Sequence, residues 1–203
     1  GGGGGGGPGP AAGGREELRR LAQLPALAAA SPEVLGPAPA PVMKLNNRYR
    51  YRLTLCCKNT RQVRALLSHL LNGLYALSAL QKPPALVKPA FEIKLLCLAG
   101  YEPLADSCAY CGRPDPEQPL LDVVQGVLRC RSCGVKESAL SMPLCPDSLA
   151  ALRHIVYGDP KRLYSFRLTG PALERLSAAA EAFVAAQLER GFRTLDFYKS
   201  LQT

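Results

Sequence analysis

Four cysteines arranged as two pairs are the residues of this sequence best suited to chemistry. Cys108 and Cys111 form one C-x-x-C pair, and Cys130 and Cys133 form a second pair after 18 intervening residues. Each pair fits one tight turn, so its two sulfurs can face a single point about 2.3 Å away, which is the zinc–sulfur bond length. Two such pairs predict one structural zinc ion per chain, because four protein ligands leave no open position for catalysis.

The alternatives for these pairs are a redox-active C-x-x-C motif and four unrelated cysteines. A redox motif usually lies at a helix N-terminus after a strand and needs no second pair. The segment between the pairs predicts a small hairpin over Leu121–Leu128 with a turn at Gln125–Gly126, which would bring the pairs together. We expect Cys97 to lie in the core and Cys145 to pack where a helix starts. Cys56–Cys57 falls at a strand end, with a contribution to a metal site as the alternative.

The basic residues are concentrated in one segment. The chain of 203 residues has a formal net charge of +9, and residues 41–82 carry eight basic residues without one acid. Such a balance favours an acidic partner, either nucleic acid or an acidic protein tail. The candidate nucleic-acid-binding residues are Lys44, Arg48, Arg50, Arg52, Lys58, Arg61 and Arg64.

Part of this basic segment alternates with period two. Arg48, Arg50 and Arg52 alternate with Tyr49 and Tyr51, which predicts a strand with one basic face and one apolar face. The guanidinium groups could contact phosphates, and the tyrosines could stack on bases. In a single strand the two sets point to opposite faces, so the alternative is an exposed strand whose charges prevent edge pairing.

The remaining elements predict a mainly α-helical fold. It consists of a helical domain with an inserted four-cysteine zinc ribbon, preceded by a short β-strand/helix segment and a disordered N-terminus. Residues 1–40 are predicted to be a disordered, low-complexity head with a stiff proline-rich linker over Pro32–Pro41. Residues 41–65 form the basic strand–helix segment. Residues 66–203 form the helical domain, with the zinc module at 101–142.

Apolar spacing predicts the helices of that domain. Asn59 opens a helix whose leucine stripe runs from Val63 to Leu80, the clearest amphipathic pattern in the chain. A second helix over Ala85–Ala99 is apolar nearly all round, so it should be central to the core, with Phe91 and Leu95 as core residues. Further helices are predicted over 146–157, 159–165, 170–190 and 194–201.

No motif in the sequence supports an enzyme. Neither GxxxxGK[ST] nor GxGxxG occurs, so no nucleotide cradle is visible. His69 and His154 are the two histidines, and without a matched nucleophile we expect both to be structural or surface residues. No run approaches 18 apolar residues, and the seven N-terminal glycines do not resemble a secretory signal. The sequence therefore predicts a non-enzymatic protein without a membrane span.

Residues from about 70 to 203 closely resemble the bacterial recombination mediator RecO. The matching text includes LLNGLYALSAL, PPALVKPAFEIKLLCLAGYEP, CAYCG, QGVLRCRSC and LERGFRTLDFYKSL, in the order and spacing of that family. The resemblance implies a helical domain with an inserted zinc module. The chain departs from the family at Gln125–Gly126, where a Gly-Gly pair is common. The family's zinc ligands correspond here to Cys108, Cys111, Cys130 and Cys133.

The resemblance to RecO also implies a function and partners. It implies a DNA repair and homologous recombination mediator of the RecF pathway that assists recombinase loading on single-stranded DNA and anneals strands. The implied partners are single- and double-stranded DNA, RecR and the acidic tail of single-strand binding protein. The implied location is the bacterial cytoplasm, associated with the nucleoid. The basic residues available for the acidic tail are Arg153, Lys161, Arg162 and Arg167.

Residues of about 34–71 instead resemble the C-terminal domain of the primosomal protein PriA, through the text VLGPAPAPVMKLNNRYRYRLTLCCKNTRQVRALLSHLL. RecO normally begins with a DNA-binding OB domain, and no five-strand pattern of that kind is present here. The helicase motifs of PriA are absent as well. The alternative functions are therefore a fragment or fusion of the replication-restart protein PriA, and a structural zinc-stapled helical domain without a DNA role.

Overall fold

The computed structural model describes residues 33–45, 48–133 and 140–188. The chain divides into two compact units, and the boundary between them falls between Leu67 and Ser68. Within the described ranges there are four α-helices and five strands. None of those helices combines the length and the hydropathy that a membrane span needs. The predicted disorder over 1–32 and the predicted helix over 194–201 lie outside these ranges.

The first unit contains an antiparallel pair of strands, β1 (Glu33–Leu45) and β2 (Arg48–Cys56). β2 occupies the segment where alternation predicts a strand. Residues 33–41 of the predicted proline-rich linker instead belong to β1, which corrects that part of the prediction. Each strand of a two-stranded sheet has a free edge, so prolines, which lack an N–H, are tolerated there. The pairing shifts register between Leu35 and Ala38 and again between Pro39 and Lys44.

Helix α1 (Arg61–Ser78) begins two residues later than predicted. The backbone N–H of Val63 donates to Oγ1 of Thr60 at 3.2 Å, so Thr60 caps the first turn. The leucine stripe of α1 is largely exposed, and the residues buried beyond Ser68 are His69, Gly73 and Ala76. The exposed apolar residues in this part of the chain are Leu70, Leu71, Leu74, Tyr75, Leu77 and Leu80.

The buried face of α1 packs against Phe91 of α2. The ring of His69 stacks on Phe91 with ring centroids 4.4 Å apart, and its Nε2 lies 2.9 Å from the Phe91 carbonyl oxygen. A Cβ added at Gly73 would lie 3.0 Å from the Phe91 ring. The absence of a side chain at Gly73 therefore lets α1 approach Phe91 closely, whereas a leucine at this position would hold the two apart.

Helix α2 (Pro84–Leu98) is central, as predicted, but its inward face differs from the prediction. Leu86, Ala90 and Ile93 are buried, whereas Phe91 and Leu95 are half-buried. The prediction that these two are core residues is therefore wrong. Phe91 and Leu95 lie on a side of α2 that does not face the core, and the Phe91 ring packs on His69 and Gly73 of α1 instead.

Between α2 and the next helix in the sequence, the chain forms a three-stranded antiparallel sheet. It consists of β3 (Pro119–Asp122), β4 (Val127–Cys130) and β5 (Ser141–Pro143), in the order β4–β3–β5. The predicted hairpin is confirmed, and its turn contains Gly126 with a φ of 67°. The buried Asp122 carboxylate stabilises this turn because it accepts the backbone N–H groups of Val124 and Gln125 at 3.1 and 2.9 Å.

The last described elements are α3 (Pro146–Tyr157), a 3₁₀ turn (Pro160–Arg162) and α4 (Gly170–Leu188). α3 has the predicted bounds, and the 3₁₀ turn is shorter than the predicted helix over 159–165. The Nζ of Lys94 donates to the Val156 carbonyl oxygen at 2.8 Å and ties α2 to α3. The core between the sheet and these helices includes Ile93, Leu121, Leu128, Leu152, Ile155, Leu176 and Phe183.

Candidate metal centre

The two cysteine pairs come together at the end of the small sheet. The Sγ atoms of Cys108, Cys111, Cys130 and Cys133 all lie within 4.8 Å of one another. The Cys111 and Cys130 sulfurs are 3.7 Å apart, far longer than a disulfide bond of about 2.05 Å. A tetrahedron with zinc–sulfur bonds of about 2.3 Å has edges of about 3.8 Å. The four cysteines could therefore hold a metal ion.

Local backbone bonds shape the turn that carries the first pair. The N–H of Cys108 donates to the Arg113 carbonyl oxygen at 2.9 Å, and the N–H of Gly112 donates to the Cys108 carbonyl oxygen at 2.8 Å. Gly112 has a φ of 69°, a backbone conformation that favours glycine at this position after the pair. Cys130 ends β4, and Cys133 follows in the next turn. Gly134, which follows Cys133 in the sequence as Gly112 follows Cys111, lies outside the described residues.

Cys108, Cys130 and Cys133 differ in how easily their thiols ionise. Burial alone would raise the pKa of Cys108, but the backbone N–H groups of Cys111, Cys130 and Tyr110 outweigh it and lower that pKa. Burial and the neighbouring sulfurs raise the pKa of Cys130, and the neighbouring Cys111 together with burial raises that of Cys133. One thiolate is thus stabilised and its neighbours resist ionisation. A bound cation would remove that conflict, because it stabilises all four thiolates.

The remaining cysteines lie outside this cluster. Cys56 is exposed and Cys57 is half-buried at the end of β2. Cys97 is half-buried and packs against the core, and burial raises the pKa of its thiol to about 11. Cys145 is the N-cap of α3, and its backbone N–H donates to Ser148 Oγ at 2.7 Å. The expected position of Cys145 at a helix start is confirmed, whereas Cys97, predicted to lie in the core, is half-buried and packs against it.

The predicted basic residues are spread over the first unit. Arg48, Arg50 and Arg52 occupy alternate positions along β2, and Lys44 lies in β1 opposite Tyr49. The helical end of the segment is accessible to a partner, because Lys58, Arg61 and Arg64 are exposed around the start of α1.

A groove in the second unit was not predicted. It encloses about 510 Å³ between α3 and the segment that leads to α4. α3 contributes Asp147, Ala150–Ala151 and His154, and the following segment contributes Phe166–Leu168. His154 meets Phe166 edge to face with ring centroids 5.5 Å apart. The groove thus combines apolar walls with one exposed guanidinium, and only the tertiary fold could reveal it, since Phe166–Leu168 has no regular structure.

The structure separates the four basic residues suggested for an acidic tail. Arg167 lines the groove, and Lys161 and Arg162 are exposed on the 3₁₀ turn. The carbonyl oxygen of Arg162 lies 3.0 Å from Nε2 of His154, a groove residue. Arg153 instead directs its guanidinium toward the first cysteine pair.

Comparison with known proteins gives two family matches. The chain matches the family described as "Recombination protein O C terminal" over residues 56–196. It also matches the family described as "Primosomal protein N C-terminal domain" over residues 10–89. The two matches overlap from residue 56 to residue 89.

Curated relatives agree with the first match. The DNA repair protein RecO of Acetivibrio thermocellus is 29% identical over 136 residues, which cover 67% of this chain and 54% of that protein. RecO of Anaeromyxobacter dehalogenans is 36% identical over 120 residues, covering 58% of this chain and 46% of that protein. RecO of a Thermoanaerobacter species is 28% identical over 131 residues. The chain spans about half the length of the curated relatives it matches.

Proposed function

Because the chain belongs to the Recombination protein O C-terminal family, whose relatives are DNA repair proteins, we propose that it is a non-enzymatic mediator of homologous recombination. In this role it assists recombinase loading on single-stranded DNA and anneals strands in the RecF pathway, in the cytoplasm at the bacterial nucleoid. The observation that carries the proposal is that the match over 56–196 includes both the four-thiol cluster and the helices around it.

The metal in this proposal is one structural zinc ion held by Cys108, Cys111, Cys130 and Cys133. The spacing of the sulfurs and the all-thiolate donor set fit zinc. The ion supplies no reaction chemistry. It holds the turn after α2 against the end of β4, and the described residues of that turn form no helix and only an isolated bridge at Leu104.

DNA contact in this proposal comes from the basic segment, through Lys44, Arg48, Arg50, Arg52, Lys58, Arg61 and Arg64. Eight basic residues without an acid over 41–82 give this segment a high local positive charge, whereas residues 83–203 are nearly neutral. Cations on phosphates release counterions, so the affinity must fall steeply with salt concentration. The salt dependence therefore tests DNA contact and separates it from a purely structural domain.

Replacing Arg48, Arg50 and Arg52 together by alanine is expected to flatten the salt dependence of single-stranded DNA binding. Each phosphate contact contributes about −0.7 to the slope of log affinity against log salt on single strands, so three lost contacts change it by about two units. The measurement is a filter-binding titration at several salt concentrations, with zinc content and helicity expected to stay unchanged.

The matched control removes the same charge elsewhere, at the exposed residues Lys161, Arg162 and Arg167. This variant is expected to retain the slope of the unaltered chain. An unchanged slope in the β2 variant, or an equal flattening in the control, would contradict the assignment of DNA contact to the basic segment.

The groove beside α3 is proposed as the site for the acidic tail of single-strand binding protein. Its apolar walls, formed by Ala150, Ala151 and Phe166, suit a terminal apolar side chain, and Arg167 at the rim suits a carboxylate. Asp147 is the acid that lines it, so the basic rim must bind the tail at a distance from that carboxylate. RecR is proposed as the second protein partner on the strength of the family alone.

Replacing Arg167 by glutamate is expected to weaken binding of a synthetic peptide that carries several acids and ends in an apolar residue. A reversed charge at the rim is expected to raise the Kd about tenfold or more, which corresponds to about 1.4 kcal/mol. Fluorescence anisotropy of the labelled peptide measures this. Arg64→Glu changes the net charge equally outside the groove, and equal weakening by both variants would show that the effect is not local.

The primosomal match favours a second candidate function, a fragment or fusion that acts in replication restart. This candidate predicts DNA-stimulated ATP hydrolysis if the chain retains helicase activity, whereas the mediator predicts none. Measuring phosphate release with and without single-stranded DNA separates the two.

A further inference from the structure

Two side chains of α3 reach the irregular segment that carries the first cysteine pair. Arg153 and Tyr157 are four residues apart, so they lie on the same side of the helix. Both contact the stretch from Pro103 to Asp115, which contains Cys108 and Cys111. Within its described residues this stretch has no helix and only an isolated bridge at Leu104, so its backbone groups need partners from elsewhere.

Arg153 bonds to both ends of the turn that carries Cys108 and Cys111. Its Nε donates to the carbonyl oxygen of Ala105 at 2.8 Å, and its Nη2 donates to that of Asp106 at 3.1 Å, just before Cys108. The same Nη2 also donates to the carbonyl oxygen of Pro114, after Cys111. A planar guanidinium can span two strands of backbone in this way, because its donors point in fixed directions. The side chain therefore closes the base of the turn.

The carboxylate in this group matters less than the carbonyl oxygens. Nη1 of Arg153 lies 3.0 Å from Oδ1 of Asp115, but the Asp115 side chain is 88% exposed. Exposed ion pairs contribute little because solvent screens them. The Arg153 side chain is 27% exposed, and its bond to the carbonyl oxygen of the buried Ala105 is better shielded than the pair with Asp115.

Tyr157 adds a second anchor one turn further along α3. Its hydroxyl accepts the backbone N–H of Ala105 at 2.8 Å and donates to the carbonyl oxygen of Pro103 at 3.3 Å. Arg153 and Tyr157 together satisfy both backbone groups of Ala105, one through each side chain. Ala105 is completely buried, so leaving either group without a partner would cost free energy.

We propose that Arg153, supported by Tyr157, is a positioning residue for the metal centre. It holds the base of the turn closed, so that Cys108 and Cys111 are presented to the ion at the correct separation from Cys130 and Cys133. The inference rests on the proposed zinc site. It assigns to α3 a role in metal affinity, because residues that orient ligands typically change affinity by 10–100-fold when they are removed.

The experiment measures the zinc affinity of the full chain by competition with a chromophoric chelator. Arg153→Met retains the length of the side chain without its donors, and its Kd for zinc is expected to rise roughly 10–100-fold. Arg153→Lys keeps the charge but lacks the planar guanidinium, so its Kd for zinc should lie between those of the unaltered chain and Arg153→Met. Tyr157→Phe tests the second anchor with little change in shape. Arg162→Met, at an exposed arginine of the 3₁₀ turn, is the matched control and is expected to bind zinc as the unaltered chain does.

Urea unfolding with and without a chelator separates positioning from general stabilisation. If Arg153 positions ligands, Arg153→Met should lower the urea midpoint clearly more with zinc present than after zinc is removed. The lost bond to Ala105 acts in both conditions, whereas the lost zinc affinity acts only with zinc present. Equal destabilisation in both conditions, or an unchanged zinc Kd, would overturn this inference alone. An unaltered chain that binds no zinc would overturn the metal proposal and this inference together.

Discussion

Replacing Cys108 by serine is expected to abolish stoichiometric zinc binding and to lower the free energy of unfolding by several kcal/mol. Cys108 is buried, and its sulfur accepts the backbone N–H of Cys130 at 3.3 Å, so it joins the two halves of the site. In a structural zinc site, metal binding and local folding are one event, so losing the metal also loses local folding energy. Elemental analysis should find one zinc per unaltered chain.

The control for this variant is Cys56→Ser, which removes an exposed thiol outside the cluster. It is expected to retain both zinc and stability. The absence of zinc from the unaltered chain, purified under reducing conditions, would contradict the site, as would full zinc retention by the Cys108 variant.

Replacing Phe183 by alanine is expected to lower the free energy of unfolding by roughly 3–5 kcal/mol. Phe183 is 1% exposed, and its ring reaches the β3–β4 turn, where a Cβ added at Gly126 would lie 3.6 Å from it. Alanine would leave a cavity between α4 and the sheet that the packed neighbours fill only partly. Urea unfolding in the presence of zinc measures the change.

The comparison variant is Phe91→Ala. Phe91 is half-buried between α1 and α2, so its truncation removes less buried apolar surface than that of Phe183. A smaller decrease in the free energy of unfolding is therefore expected. A loss below about 1 kcal/mol for Phe183→Ala, or a larger loss for Phe91→Ala, would show that the core does not lie between α4 and the sheet.

The four-cysteine cluster and several elements could be predicted because their signals are local. Ligand spacing alone brings Cys108 and Cys111 into one turn, and proline and glycine mark where α2 and α3 begin or end. Gly100 ends α2 with a φ of 97°, as its position after an apolar helix predicts.

Features that depend on distant contacts could not be predicted from these signals. α2 is apolar nearly all round, so its pattern does not say which side faces the core, and the sequence therefore does not reveal that Phe91 faces α1. The groove forms because the segment around Phe166 packs beside α3, and no periodic pattern in the sequence predicts that contact. The hydrogen bond from Arg153 to Ala105 joins residues 48 positions apart. Nothing in the local sequence around Arg153 indicates that its side chain reaches the turn with Cys108 and Cys111.

The exposed leucine face of α1 has a consequence for how the chain behaves in concentrated solution. Leu71, Leu74 and Tyr75 are 64%, 54% and 58% exposed, and no charged residue interrupts the sequence from Ala65 to Gln81. Sulfate and phosphate strengthen the burial of such surface, and cooling weakens it. Ammonium sulfate and warming should therefore drive precipitation of this chain earlier than its high net charge alone suggests, and dilute, cool, low-sulfate buffer should keep it dispersed.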